Sequence, residues 1–335
     1  MRIGVIGATG VVGRELLSIL AQRDVDPGAI HCMASSRSAG IELPYRDAHL
    51  KVGCLDEATF RDLDVAFFAA GVDTARAWAQ RAVASGCLVI DNSSAFRQDP
   101  AIPLIVPEIN GGLLRDFQCP GIIASPNCST TIAMMAVAPI HRLAGIHSMS
   151  VTTYQSVSGA GAEAMQELEQ QVAQHAAGET ITNEVLPSRA LLNVFNHESP
   201  IDADGFNEEE RKIRLESRRI LDAPDLSISA TCVRVGVMRA HAMSIELELE
   251  KGVEVEDVRA LLSEAPGLRV VDDRATNRFP EPRHAAGRDE IEIGRIRHHP
   301  DRADGTSLLL FAAGDQLRKG AALNTIQILE HLQNA

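Results

Sequence analysis

Short apolar runs alternate with helical patterns over about the first 125 residues of the chain. Val12, Leu16 and Ile19 recur at helical spacing after the first run, and Gly86 closes a later helix. Because strands that alternate with helices pair in parallel, this region predicts a doubly wound parallel α/β sheet. The strands expected here span residues 2–7, 30–34, 65–70 and 87–91.

The pattern changes after residue 128, where the apolar runs become longer. Residues 243–250 alternate as M-S-I-E-L-E-L-E, which predicts a strand with one face toward water, as is usual in antiparallel sheets. Polar or helical connectors at 162–176 and 207–221 separate these runs, and residues 317–332 are helical again. The further strands expected are 147–156, 227–237, 290–297 and 307–312.

Two domains follow from these patterns. We expect a Rossmann-type nucleotide-binding domain over residues 1–127, with a C-terminal helix at 315–335 packing back on it, and an α+β domain over residues 128–314.

Composition excludes some classes of function. The net charge of −13 argues against nucleic-acid binding, which needs a basic surface. No run reaches the 18 apolar residues of a membrane span, and the N-terminus lacks the apolar core of a signal peptide. The six cysteines show no CxxC pairing and no histidine cluster, so we expect no metal site. Five of them are expected to be buried thiols in a reducing cytoplasm.

A glycine-rich turn follows the first predicted strand, with the sequence G-A-T-G-V-V-G. Glycines in such a turn allow the backbone to approach a pyrophosphate, while the following helix supplies N–H groups. The alternative is a glycine turn that serves packing alone. The candidate cofactor residues here are Gly7, Ala8, Thr9, Gly10, Val11, Val12 and Gly13.

The end of the second predicted strand bears on the choice of cofactor. An NAD site usually has an acidic residue there, whereas this chain has Ser35, Ser36, Arg37 and Ser38. Hydroxyls and a guanidinium suit a 2′-phosphate, so NADP is favoured over NAD. The alternative for Arg37 is a solvated loop arginine.

Cys128 lies in S-P-N-C-S-T-T, between a Pro-Asn turn and a helix-like run. A thiol at a helix N-terminus meets the positive end of the helix dipole and unpaired N–H groups, which favour the nucleophilic thiolate. The alternative is a buried, inert cysteine. We therefore predict Cys128 to be a nucleophile that attacks an acyl group.

Four segments recur in a characteristic order: S-P-N-C-S-T-T, T-Y-Q-S-V-S-G-A-G, A-T-C-V-R-V followed by Ala240-His241, and L-R-K-G-A-A-L-N. Together they closely resemble the aspartate-β-semialdehyde dehydrogenases, in particular their shorter-chain bacterial branch, over nearly the whole chain. The resemblance implies a cytoplasmic homodimer whose second domain carries catalysis and dimerisation. It implies NADPH-dependent conversion of L-4-aspartyl phosphate, an acyl phosphate, to L-aspartate-4-semialdehyde and inorganic phosphate, in lysine (diaminopimelate), threonine and methionine biosynthesis.

The resemblance also implies roles for individual residues. Cys128 corresponds to the nucleophile and His241 to the acid/base histidine, and a neutral histidine could take the thiol proton. Gln155 corresponds to the residue that positions the acyl group. Arg234 corresponds to the residue that binds the substrate α-carboxylate, and a buried arginine needs a paired anion.

The remaining carried-over positions bind substrate or cofactor. Glu209 corresponds to the partner of the substrate amino group, although the run of three glutamates leaves its register open by one. Lys212 and Arg97 correspond to phosphate ligands. The run from Glu208 to Lys212, which also contains Glu209, could instead be the wet face of a helix. The others, expected to line the acyl and nicotinamide end, are Asn127, Ser158, Gly159 and Gln316.

Two departures and two alternatives remain open. Gly236 stands where the family usually has proline, which is expected to loosen the strand entering His241, and Gln316 replaces an asparagine near the nicotinamide. N-acetyl-γ-glutamyl-phosphate reductases share fold and mechanism, but their cysteine motif is P-G-C-Y-P-T. A paralogue without activity should have lost the cysteine, histidine or arginine, and this chain retains all three.

Overall fold

The structure is a computed structural model that describes residues 1–56, 58–302 and 304–334. The chain divides into two compact units, residues 1–127 with 321–335, and residues 128–320. No helix within the described ranges is long and apolar enough to cross a membrane. Position 335, the last residue of the predicted closing helix, lies outside the described residues.

The first unit is built on a seven-stranded sheet in which the β-strands run parallel, apart from one edge hairpin. Strands that are buried on both faces read as continuous apolar runs, as in I-G-V-I and V-A-F-F. The doubly wound sheet expected from the alternation is confirmed. The strands are β1 (Ile3–Ile6), β2 (Ile30–Ala34), β3 (Glu42–Tyr45), β4 (Ala48–Cys54), β5 (Val65–Phe68), β6 (Leu88–Asp91) and β7 (Ile122–Ala124), in the spatial order β3-β4-β2-β1-β5-β6-β7. The helices of this part are α1 (Val11–Gln22), α2 (Val72–Ala84) and α3 (Pro107–Asn110).

The edge hairpin of β3 and β4 was not predicted from the sequence. Leu43 and Tyr45 are buried while Glu42 and Pro44 are exposed, so the alternation of a half-buried strand is present. It extends over only four residues in β3, and the turn residue Arg46 adopts a φ of +52°. A pattern this short does not distinguish a strand from a loop.

The second unit contains another seven-stranded sheet of mixed direction, in the order β12-β13-β14-β11-β8-β10-β9. In its central strand Met243, Ile245 and Leu247 are buried and Ser244 is exposed, which confirms the predicted wet face. The strands are β8 (Ile146–Gln155), β9 (Val194–Asn196), β10 (Ser227–Val235), β11 (His241–Leu249), β12 (Leu268–Val270), β13 (Ile291–His298) and β14 (Ser307–Gly314). The helices are α4 (Cys128–Ala144), α5 (Ala162–Ala177), α6 (Glu208–Ile220), α7 (Val255–Glu264) and α8 (Pro282–Ala285).

Strand register brings several predicted site residues to one edge of this second sheet. Strands β8 and β10 are parallel, and Gln155 lies opposite Arg234 near their carboxyl ends. Strand β11 runs antiparallel to β8 and begins at His241, so the histidine starts at the same edge. Helix α4 packs on β8, β11, β13 and β14, and its first residue is Cys128.

The closing helix α9 (Leu323–Asn334) belongs to the first unit, where it contacts α1, α3 and β6. The predicted domain boundary at residue 315 differs from the observed one, because residues 315–320 fall in the second unit. Asp315 accepts a hydrogen bond from Arg239 Nε at 2.7 Å, and Gln316 Oε1 accepts one from the Ala240 N–H at 2.9 Å. These side-chain bonds hold the segment to the second unit, which a helical pattern alone does not indicate.

Candidate active site

Cys128 and His241 form the centre of the candidate site. The Cys128 Sγ lies 3.7 Å from His241 Nε2. Cys128 is half-buried as the first residue of α4, and His241 is fully buried. Gly320 packs so closely that a Cβ there would lie 2.9 Å from the Cys128 Cβ. The two residues predicted as nucleophile and acid/base are thus within contact distance.

The hydrogen bonds of His241 determine which ring nitrogen holds the proton. His241 Nδ1 lies 3.1 Å from the Ser156 N–H and 3.1 Å from the Ser156 hydroxyl. A backbone N–H can only donate, so Nδ1 is an acceptor and the neutral ring carries its proton on Nε2, facing the sulfur. Burial, with smaller effects of Arg234 and His197, lowers the pKa of His241 well below its ordinary value of 6.5. The ring is therefore neutral at pH 7.

This arrangement differs from the expectation that His241 takes the thiol proton. A second proton, at Nδ1, would point at the Ser156 N–H and lose that hydrogen bond. The charged ring would also lie buried beside the Arg234 cation. His241 is thus arranged to donate a hydrogen bond toward Cys128 rather than to store its proton.

Arg234 is 1% exposed, and a carboxylate that the sequence analysis did not identify occupies its fork. Arg234 Nε donates to Glu198 Oε2 at 3.0 Å, and Nη2 donates to Glu198 Oε1. Arg234 Nη1 donates to the Ser156 carbonyl at 2.8 Å, and Nη2 donates to His197 Nε2 at 2.9 Å. The buried arginine signalled that an anion was needed, but no local pattern pointed to Glu198.

Gln155, Glu209 and Lys212 form a polar group beside the same sheet edge. Gln155 Nε2 lies 3.5 Å from Glu209 Oε1, and Lys212 Nζ lies 3.7 Å from Glu209 Oε2. Lys212 also pairs with the exposed Glu208 at 2.9 Å. These contacts bring together the residues expected to hold the acyl, amino and phosphate groups.

The neighbouring Glu210 helps to cap helix α6. This bears on which of the three consecutive glutamates corresponds to the expected partner of the substrate amino group. Asn207 caps α6 by accepting from the Glu210 N–H at 2.9 Å, and Glu210 Oε2 accepts from the Asn207 N–H at 2.9 Å. Glu210 Oε1 also accepts from the Cys232 N–H of β10 at 2.9 Å. Glu209, in contrast, faces Gln155 and takes no part in this capping.

Ser158, Gly159 and Gln316 surround His241 and Arg234. Gln316 Nε2 donates to Ser158 Oγ, and Ser158 Oγ lies 3.0 Å from Ser156 Oγ. Gln316 also holds Ala240, which has a φ of +72° directly before His241. A Cβ on Gly159 would lie 2.9 Å from Arg234 Nη1 and 3.1 Å from His241 Cε1. Besides their predicted cofactor role, these residues pack against the segments that carry His241 and Arg234.

Gly236, which was expected to loosen the strand entering His241, packs directly against backbone. A Cβ at this position would lie 2.5 Å from the Ala190 carbonyl oxygen, which is backbone. The glycine therefore permits a close approach of the 190–191 segment to the chain just after β10. A residue with a Cβ, proline included, would require this backbone to move apart.

The glycine-rich turn lies in the first unit, where it leads from β1 into α1. Gly7 has a φ of +87°, and a Cβ on it would lie 2.6 Å from the Ala69 carbonyl oxygen. Gly10 is the N-cap of α1, and no side chain among residues 1–56, 58–302 and 304–334 caps that helix. Its first-turn N–H groups are thus left for an anion. Ala8, Thr9, Val11, Val12 and Gly13 complete this turn.

The residues expected at the 2′-phosphate lie beside this turn. Thr9 Oγ1 is 3.5 Å from Ser38 Oγ, and Gly7 N–H bonds the Met33 carbonyl of β2 at 2.8 Å. Ser35, Ser36 and Arg37 are exposed on the short helical turn that follows β2. Ser38, one of the residues expected at the 2′-phosphate, thus lies next to the glycine-rich turn.

Arg97 and Asn127 are buried within the first unit. Arg97 Nε donates to the Ser125 carbonyl at 2.9 Å and Nη2 to the Asn92 carbonyl at 2.5 Å. None of the six cysteines, which all lie within the described residues, forms a disulfide; Cys32, Cys87 and Cys232 are buried as expected, whereas Cys54 and Cys119 are exposed. No cluster of three or more metal-ligating side chains occurs in the part of the chain that the structure describes.

A doubly wound nucleotide-binding unit and a unit with a paired cysteine and histidine define a Rossmann-type oxidoreductase. Two family models match the chain: the semialdehyde dehydrogenase NAD binding domain at residues 2–116 and the semialdehyde dehydrogenase dimerisation domain at residues 137–319. The chain is 42% identical to an aspartate-semialdehyde dehydrogenase of Synechocystis, over 99% of this chain and 97% of the relative. It is 40% identical to one of Aquifex aeolicus, again over 99% and 97%.

Solved structures also match the chain to aspartate-semialdehyde dehydrogenases. Aspartate semialdehyde dehydrogenase II of Vibrio cholerae matches with a TM-score of 0.94 at 33% identity, covering 99% of this chain and 98% of that one, and a second structure of it is complexed with ASA. The chain belongs to the aspartate-semialdehyde dehydrogenase family, as its motifs predicted. The similarities do not support the N-acetyl-γ-glutamyl-phosphate reductase alternative.

Proposed function

We propose that this protein converts L-4-aspartyl phosphate to L-aspartate-4-semialdehyde and inorganic phosphate, with NADPH as reductant and Cys128 as nucleophile. The observation that carries the proposal is the 3.7 Å contact between Cys128 Sγ and a neutral His241 whose Nε2–H faces it. The reaction would serve lysine, threonine and methionine biosynthesis in the cytoplasm. The match to a dimerisation domain supports a homodimer.

The chain's own residues suit NADP. The uncapped N-terminus of α1 would hold the pyrophosphate, and Ser35, Ser36, Arg37 and Ser38 would hold the 2′-phosphate. When bound, NADPH supplies the hydride that reduces the Cys128 thioester. We assign Ser158, Gly159, Gln316 and Asn127 to the surroundings of the nicotinamide and acyl groups.

The protein's part in the chemistry begins and ends with a Cys128 thiolate. Attack on the acyl phosphate forms the S–C bond and expels phosphate, and after hydride addition the oxyanion collapses to aldehyde and expels the same thiolate. Cys128 needs no proton in this direction, and the one proton consumed is taken up from solvent by the expelled phosphate. A neutral His241 that donates through Nε2 stabilises negative charge on the sulfur without becoming charged itself.

The charges of the substrate match the charged side chains. Arg234 offers a planar fork to the α-carboxylate, and Glu209 offers a carboxylate to the amino group. Lys212 and Arg97 are the proposed phosphate ligands, and Gln155 positions the acyl group. A substrate without a free amino group would leave the buried Glu209 without that partner.

The reverse reaction tests the proposal. Phosphate-dependent reduction of NADP⁺ by L-aspartate-4-semialdehyde should occur with the wild type and vanish in Cys128→Ala. The control variant Cys54→Ala, which replaces an exposed cysteine, should retain the activity. Activity with N-acetylglutamate semialdehyde alone would move the protein to the other reductase, and activity that survived in Cys128→Ala would exclude the thioester.

The cofactor assignment has its own test. Replacing Arg37 by Gln removes a charge-assisted bond, so the KM for NADPH should rise about tenfold or more while that for NADH changes little. Arg115→Gln, at another exposed arginine of the same unit, is the control. Equal effects on both cofactors would argue against Arg37 as a 2′-phosphate ligand.

A further inference from the structure

The arginine that the proposed function assigns to the substrate α-carboxylate already holds a carboxylate. Glu198 meets Nε and Nη2 of Arg234 with its two oxygens, in the side-on geometry of an arginine–carboxylate pair. The substrate and Glu198 therefore compete for the same face of the guanidinium.

The two partners differ in their access to water. The Arg234 side chain is 1% exposed, whereas the Glu198 side chain is 28% exposed. Glu198 lies just after the edge strand β9, which pairs with β10 over only three residues. The carboxylate can turn toward solvent, while the arginine is held inside the unit.

Arg234 retains other partners when Glu198 leaves. Nη1 donates to the Ser156 carbonyl at 2.8 Å and Nη2 donates to His197 Nε2 at 2.9 Å. Both acceptors are buried, so the plane of the guanidinium stays fixed. A departing Glu198 would leave an oriented but unpaired buried cation, which strongly favours a new carboxylate.

The ionisation of Glu198 is consistent with this pairing. Burial alone would raise its pKa, but the hydrogen bonds and the charge of Arg234, with a smaller effect of His197, hold the pKa below its ordinary value. The carboxylate is thus charged at neutral pH, where the reaction would run.

We propose that Glu198 is an internal ligand of Arg234 that occupies the α-carboxylate subsite of the empty protein and is displaced by the substrate. The inference rests on the proposed function of Arg234. Because only the fraction of molecules with Arg234 released can bind, Glu198 weakens the apparent affinity for substrate. It also selects for ligands whose carboxylate reaches both Nε and Nη2.

Binding of L-2-aminobutyrate, which has the α-carboxylate and α-amino group of the substrate but no aldehyde, tests the proposal by calorimetric titration. Replacing Glu198 by Gln removes the competing charge at nearly constant shape, so binding should tighten about fivefold or more. Glu198→Asp, which keeps the charge but shortens the reach, should tighten binding less. Glu184→Gln, an exposed glutamate of the same unit, should bind like the wild type.

Unchanged or weaker binding in folded Glu198→Gln would overturn the proposal, and so would unchanged binding in Glu198→Asp if the glutamine variant does not fold. Turnover of L-aspartate-4-semialdehyde by the wild type is measured beside the titrations. Turnover with no effect at Glu198 means that the internal ligand alone is wrong. Absence of turnover means that the proposed function has failed, whatever the titrations give.

Discussion

At the scale of single residues, the chemistry of the site depends on partners that are distant in sequence. His241 owes its tautomer to the N–H of Ser156, 85 positions away, and Cys128 meets the ring from a distance of 113 positions. Motif resemblance predicted that these residues matter. Only their contacts show that His241 is a neutral donor, because the proton position follows from what each ring nitrogen faces.

The buried histidines predict how stability depends on pH. Burial lowers the pKa of His241 and of His197, so the unfolded chain takes up protons first as the pH falls below about 6.5. Stability should therefore rise from pH 5 to pH 7, with a slope of up to about 1.4 kcal/mol per pH unit for each histidine.

Thermal midpoints at pH 5.5 and 7.5 measure this slope. His241→Asn should reduce the difference between the two midpoints, whereas His175→Asn, at an exposed position, should leave it unchanged. An unchanged difference in His241→Asn would contradict the neutral, buried ring.

Gly236 predicts a second effect at this scale. Gly236→Ala places a methyl group 2.5 Å from the Ala190 carbonyl, so backbone must move, at a cost of about 1–3 kcal/mol. The thermal midpoint should fall, and activity should fall with it because β10 carries Arg234. Gly112→Ala is the matched control, since a Cβ there meets nothing within 4 Å. Equal midpoints for the two variants would show that the close approach is unimportant.

At the scale of elements, periodicity predicted the long strands well and the short ones poorly. The strand expected at 30–34 coincides with β2, and that expected at 147–156 differs from β8 by one residue at each end. The short strands β7, β9 and β12 and helix α7 were missed. Three residues cannot show an alternation, and such strands form because a neighbouring strand supplies their hydrogen bonds.

Helix α6 connects local capping to the proposed substrate site, because its first turn carries Glu209 and its second begins near Lys212. Asn207→Ala removes the capping box and should cost about 0.5–2 kcal/mol. The loosened turn should raise the KM for L-aspartate-4-semialdehyde more than it lowers kcat. Asn207→Ser keeps an N-cap acceptor and should behave like the wild type. A lower thermal midpoint with an unchanged KM would separate the cap from the site.

At the scale of the whole molecule, the chain forms two units, and the sequence predicted the fold class of each. Buried runs and a glycine turn indicated the first, and alternating strands indicated the second. Within the second unit, large apolar side chains remain exposed, among them Leu192 at 74% and Val194 at 60%. Exposed apolar area of this kind is typical of surfaces that meet another protein.

We therefore expect a homodimer in solution. Sedimentation velocity at micromolar concentration should give one species with twice the mass of the chain. The matched dimerisation domain and the exposed apolar side chains both support this expectation. A monomer that persists at tens of micromolar would contradict it.

The sequence by itself determined what neighbouring positions can encode. Glycine spacing, strand alternation and the Pro-Asn-Cys turn depend on residues a few positions apart, so they indicated the nucleotide turn, the sheets and the nucleophile. The tertiary structure alone decided the pairing of Arg234 with Glu198, the capping role of Glu210, the tight packing at Gly236 and the proton on His241 Nε2. Each of these depends on which groups face one another after burial, when a polar atom must take whatever partner the fold places within reach.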